Sequence, residues 1–233
     1  IAISIFLFVL IVAAIAIPYL YKDEITMFAT EKLGKQIKAD ISISKFDLSF
    51  LGSIPNISIQ LHNVCAKSTK TFKETEFKGY STDTAMYAER VLLSFNVLDF
   101  LFKNYVVHEV TVRDAQVNVF LDSQGQHNWN FSIESDSSNT DIFVELSLIR
   151  FRNTTVNYHD TKAHISAIES FNKINFSGKF RGDDFNVDVY ADFINNTFYF
   201  GKKNYFSDSP FRCNASIFRD KSSYSIRKMK IES

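Results

Sequence analysis

From Asp40 to the end of the chain, apolar residues recur at every second position and almost never at helical spacing. Val91, Leu93 and Phe95 alternate with polar or small neighbours. Phe185, Val187, Val189, Ala191 and Phe193 do the same around Asn186, Asp188, Tyr190 and Asp192. A period of two sends successive side chains to opposite faces of a strand, so each run is a strand with one apolar face. Composition agrees: 24 Phe and 10 Tyr stand against 7 Gly and 3 Pro, and aromatic residues favour pleated, half-buried surfaces. The chain beyond residue 40 is expected to be mainly β.

The alternation changes phase at defined places. Val106, Val110 and Val112 fall on even numbers, whereas Ala115, Val117, Val119 and Leu121 fall on odd ones. A change of parity flips side chains to the other face, so a bulge or tight turn is required at Arg113-Asp114. A similar break at Asn153 precedes Val156 and Tyr158. Asp122-Ser123-Gln124-Gly125 carries turn chemistry, Asn195-Asn196 reads as a hairpin-like turn, and His159–Lys162 turns the chain again. Residues 66–86 are polar and weakly periodic, which suits a loop or a ragged strand pair. Val97–Phe102 suits one or two helical turns.

Two segments precede the β-rich part. Ile1–Tyr21 is apolar with no charge until Lys22. A helix across a bilayer core needs roughly 20 such residues, so residues 1–21 are expected to be a transmembrane helix; a cleaved signal peptide would have a shorter apolar region. In 22–37, Ile25, Phe28, Ala29, Leu33 and Ile37 keep helical spacing and predict a short amphipathic helix. Residues 38–233 then form one β-rich domain, and the chain reads as the N-terminal portion of a longer protein.

Each strand's apolar face must be covered, because burial stabilises by about 25 cal/mol per Å². A second sheet, a closed barrel or bound lipid would each satisfy that requirement.

Several chemistries find no support. The 26 basic and 26 acidic residues cancel, whereas a nucleic-acid surface needs a basic excess. No catalytic constellation, phosphate-binding glycine loop or nucleophile elbow is present. No cofactor is expected. Cys65 and Cys213 lack partners at metal-ligand spacing, and His159 with His164 around Asp160 reads as a solvated turn. Six glycosylation sequons, among them Asn153 and Asn195, support a second reading: a structural or adhesion β-sandwich ectodomain on a type II membrane anchor.

The stretch Ala88–Phe131 resembles the AsmA family of bacterial envelope proteins. It runs strand, short leucine-containing helical turn, spaced valines, turn, and then a D-x-x-G-x-x-N-W element formed by Asp122, Gly125, Asn128 and Trp129. Arg113-Asp114-Ala115 departs from the family, which often has a Gly-Pro-like turn there. The resemblance implies a long twisted antiparallel sheet forming an open, apolar-lined groove, anchored in the inner membrane as a single-pass protein with its bulk in the periplasm. It further implies a non-enzymatic role in outer-membrane biogenesis, conducting phospholipids between the two membranes, with phospholipids and other envelope proteins as partners. Val106, Val110, Val117, Val119, Val187, Val189, Ala191 and Phe193 are the expected groove-lining residues. Asp122, Gly125, Asn128 and Trp129 are expected to be structural.

Overall fold

The structure is a computed structural model. It describes residues 40–49, 56–72, 76–77, 79–96, 105–129, 142–143, 147–179, 186–220 and 223–233. The expected membrane span at 1–21, the helix at 22–37 and the helical turn at 97–102 lie outside them. Among the described residues, no helix is long and apolar enough to cross a membrane.

Eleven strands follow in chain order: β1 (Ile41–Ser42), β2 (Lys45–Ser49), β3 (Asn56–Lys67), β4 (Thr84–Asn96), β5 (Tyr105–Leu121), β6 (Ile142–Phe143), β7 (Leu148–Asp160), β8 (Ile165–Lys179), β9 (Asn186–Phe200), β10 (Lys203–Asp220) and β11 (Ser223–Glu232). They form one open, twisted sheet in the order β1-β3-β4-β5-β7-β8-β9-β10-β11, with β2 beside β3 and β6 beside β5. The two ends of this path do not pair, so the sheet is not a closed barrel. The described strands also include no second sheet stacked upon the first, as a sandwich would require.

The expected all-antiparallel arrangement is corrected at one seam. β5 and β7 run parallel from Glu109↔Leu148 to Leu121↔Asp160, and β6 also lies parallel to β5. Parallel neighbours need a crossover of a dozen or more residues, and the long connection from Asp122 to Ser147 meets that need. Local alternation carries no information about strand direction.

The parity change in β5 is a bulge, and it is shared. Leu61 and Val64 are both buried although three residues apart, as are Val91 and Ala88 opposite them and Val112 and Ala115 beyond. Each strand holds one extra residue at the same level: Asn63, Glu89, Asp114, Asn153 and Asn172 in β3, β4, β5, β7 and β8. Pairing resumes on both sides of this line, as Arg90↔Arg113 and Ala88↔Ala115, then Arg113↔Arg152 and Ala115↔Thr154. One strand bulging alone would slip its register against its neighbours; five bulging together keep it. Asn63, Asp114 and Asn153 have φ of 50°, 53° and 52°, the left-handed region that Asn and Asp tolerate best after glycine.

In β9 and β10 the extra residues are Asn196 and Asp208, displaced toward the β9–β10 turn. Asn195-Asn196 is therefore no hairpin turn: β9 runs through it, and the chain reverses at Gly201-Lys202.

Candidate functional site

The register gathers the apolar sides of all the long strands onto one face. Along one row the cross-strand neighbours are Leu93, Val110, Ile149, Phe176, Val189, Ala215 and Met229. Phe171, Phe193 and Phe211 form another, with ring centroids 4.9 and 5.6 Å apart. Phe206 extends it edge-on to Phe211 at 5.5 Å. Such aromatic pairs add to the burial of their area.

The opposite face is polar. It carries the Ser58–Ser94 hydrogen bond at 3.0 Å, the Arg150–Glu109 ion pair, Lys173 over the Tyr190 ring and the Arg212–Asp192 pair. The sheet is amphipathic along its length.

Seven of the expected lining residues take places on the apolar face. Val110 faces Leu93 and Ile149, Val117 faces Met86 and Val156, and Val119 pairs with Tyr158. Val187 lies between Gly178 and Ile217, Val189 between Phe176 and Ala215, Ala191 between Ile174 and Cys213, and Phe193 between Phe171 and Phe211. Val106 lies in β5, but its side chain is outside those described. Its neighbour Val107 is paired with Phe95 and buried with it in the core, after a register shift at the end of β4.

Exposure of this face rises along the sheet. Ile59 and Val91 are buried. Ile226, Met229 and Ile231 of β11 are 61, 58 and 55 % exposed. Large apolar patches left in water mark sites that something else covers.

The D-x-x-G-x-x-N-W element closes β5, with Leu121 bridged to His127. Asp122 Oδ1 accepts from the backbone N–H of Gln124 and Gln126 at 2.9 and 2.7 Å. Lys70 Nζ donates to Asp122 Oδ2 at 2.8 Å, and this contact, followed by the turn's backbone donors, holds the carboxyl below the usual range. Gly125 takes φ of 79° at the turn, a conformation that a side chain would strain.

Asn128 is fully buried and behaves like a short strand. Its Oδ1 accepts from Phe120 N at 2.9 Å, while Nδ2 donates to Asn118 O at 3.0 Å and Ser68 Oγ at 3.2 Å. Trp129 stacks on His127 with centroids 4.6 Å apart. Phe72, Phe77 and Phe120 make a small separate core on the polar side here, under the loop between β3 and β4.

His159 corrects half of the expected solvated turn. His164 is exposed with φ of 57°, but His159 is buried against Tyr80 and Phe120, its Nδ1 2.9 Å from Ser166 Oγ. Burial lowers its pKa. No cluster of three metal-ligating side chains exists among the described residues.

The cysteines are both free. Six strand steps separate β3 from β10, on the order of 29 Å at about 4.8 Å each across a flat sheet, far beyond disulfide reach.

Sequence reasoning missed one polar feature of the apolar face. Glu169, Asn195 and Ser209 are cross-strand neighbours in β8, β9 and β10. Asn195 Nδ2 donates to Glu169 Oε1 at 2.6 Å, while Glu169 Oε2 and Asn195 Oδ1 are buried without a partner. Burial alone raises the Glu169 pKa from 4.5 to about 7. The signal was available: both residues stand at apolar-parity positions, after Ile165 and Ala167 and after Ala191 and Phe193 respectively. Asn195 is also one of the sequons, and at 5 % exposure it is closed to a glycan.

No curated protein matches the chain. The AsmA family model matches residues 1–205, which include the amphipathic sheet's first eight strands, all of β9 and the closing element at Asp122–Trp129; the chain belongs to the AsmA family.

Proposed function

We propose that this protein is a membrane-anchored component of the bacterial envelope whose apolar sheet face holds the acyl chains of phospholipids and conducts them between the inner and outer membranes, in support of outer-membrane assembly. The single observation that carries this reading is the continuity of that face, from Leu61 in β3 to Met229 in β11, on an open sheet in an AsmA-family chain. A lipid tail crossing water loses about 0.8 kcal/mol per methylene. A wall that stays in contact with the tail removes that cost, while the headgroup remains hydrated.

On this reading the protein is not an enzyme and needs no cofactor. Residues 1–21 tie it to the inner membrane as a single-pass anchor, the sheet lies in the periplasm, and its partners are phospholipids together with other envelope proteins. The adhesion-sandwich alternative is not favoured, since the described strands form one sheet and the Asn195 sequon is buried.

The test is lipid co-purification by the full chain. Val189→Asp places a charge in the middle of the apolar row and is expected to reduce the bound phospholipid severalfold while the protein still inserts. Unchanged lipid content in a folded variant would reject the assignment.

A further inference from the structure

We propose that Glu169 and Asn195 form a headgroup-selective station on the apolar face, one that takes the primary ammonium group of a phospholipid; this inference rests on the lipid-carrying reading above. The argument begins with unpaired acceptors. Glu169 Oε2 and Asn195 Oδ1 are both buried and neither meets a donor. A buried polar atom without a partner is destabilising, so a sheet built only to be apolar would place valine or phenylalanine at these positions. The immediate surroundings provide no charge to compensate. Val156 lies opposite Glu169 on one side, and Phe171, Ala167 and Phe193 surround the pair on the same face.

The location fits a headgroup. The pair lies between the two register shifts of β8 and β9, at Phe171/Lys173 and Ile168/Glu169. It is displaced from the apolar row through Phe176 and Val189 toward the turn that joins β9 to β10. On the lipid-carrying reading, an acyl chain lying along the central rows has its polar end within reach of Glu169. Ser209 continues the polar line into β10. Of the titratable groups on the same face, Tyr158 and Asp160 of β7 lie toward the turn and bond to each other, Tyr158 Oη donating at 3.4 Å. β9 places Asn195 there, with phenylalanines on either side.

The missing chemistry is that of a donor with positive charge. An ammonium group has three N–H donors and no acceptor. It satisfies both orphaned oxygens and pairs with the carboxylate in a charge-assisted contact, the stronger kind of hydrogen bond. Glu169 as a whole is only half-buried, so a change of side-chain rotamer presents Oε2 to a ligand lying on the face.

The experiment uses the full chain at pH 8. It is incubated with vesicles containing equal amounts of phosphatidylethanolamine and phosphatidylglycerol of matched acyl chains, and the lipids that re-purify with it are measured by mass spectrometry. The expected result is enrichment of the ethanolamine lipid by about fivefold, the effect of one modest charge-assisted contact. Glu169→Gln should return the ratio to that of the vesicles with total lipid unchanged. Asn195→Ser, which keeps the carboxylate, should retain part of the enrichment. A wild-type ratio equal to the input, a preference for the glycerol lipid, or enrichment that survives Glu169→Gln would overturn the station. Absence of lipid from every variant would instead overturn the lipid-carrying reading itself.

Discussion

Asn153 Nδ2 donates a 2.8 Å hydrogen bond to Asp114 Oδ1, joining two residues that sit side by side in parallel strands with φ of 52° and 53°. Arg90 holds the other oxygen of Asp114 at 2.6 Å, and Tyr87 Oη donates to Asn63 at 2.9 Å. Side chains thus tie together the part of the line of extra residues that crosses β3 to β7. Through Asn153 first and then Arg90, the contacts keep the Asp114 carboxyl below its usual range.

This line makes a prediction that core packing would not. Asn153 is exposed, and exposed substitutions ordinarily change stability by less than about 0.5 kcal/mol. Asn153→Val puts a β-branched side chain where φ is positive and is expected to cost about 1–3 kcal/mol. Asn153→Gly keeps the conformation, loses one hydrogen bond and should cost less, about 1 kcal/mol. Urea unfolding of the two variants checks the order. A valine variant as stable as the glycine one would show that the backbone here is not constrained.

Asn128 should be the costliest polar residue to remove. Asn128→Ala leaves Phe120 N and Asn118 O buried without partners, at about 1–3 kcal/mol each. Trp129→Ala loses a ring stacked on a surface histidine and is expected to cost about 1 kcal/mol. Thermal melts of the pair should place Asn128→Ala well below Trp129→Ala. The reverse order would move the importance of the element from its asparagine to its tryptophan.

Glu169 sets a pH dependence whose sign follows from its environment. Its pKa is about 7 in the folded chain against 4.5 when unburied, so the folded state binds the proton more tightly. This contribution to stability is fully present below about pH 4.5 and is lost as pH rises through about 7. Glu169→Gln should remove that loss and raise stability at pH 8 relative to wild type, with little change at pH 4.5. Denaturant midpoints at the two pH values measure it. Equal shifts at both would mean that the carboxyl is solvated.

His159 acts in the opposite sense. Burial lowers its pKa, so its contribution is present above the unfolded value near 6.5 and is lost as pH falls through the lower folded value. His159→Phe, which keeps the ring against Tyr80 and Phe120, should flatten the acid side of the stability profile. Pulse proteolysis across pH 5 to 7 reads this, and an unchanged acid limb would assign the loss to other groups.

Much of the fold was legible because the two-residue period is a direct consequence of strand geometry. Val187, Val189, Ala191 and Phe193 read as one face and form one, and the parity change at Arg113-Asp114 became a bulge at Asp114. Asn195-Asn196 misled, since asparagine serves a turn and a positive-φ or bulged strand position equally well. The parallel β5–β7 seam was not legible because strand direction depends on the path of the crossover, which leaves no trace in alternation. Glu169 escaped notice because its meaning depends on Asn195, 26 residues away and adjacent only through register.

The most direct test of the central claim compares two neighbouring residues on opposite faces. A photo-reactive benzoylphenylalanine is placed at Val189, on the apolar face, or at Asp188, which is exposed on the polar side and accepts from Ser216 Oγ. After irradiation in cells, mass spectrometry of the purified protein should find phospholipid adducts at position 189 and none at 188. Equal labelling at the two positions, or none at 189 in a folded protein, would contradict acyl-chain passage along this face.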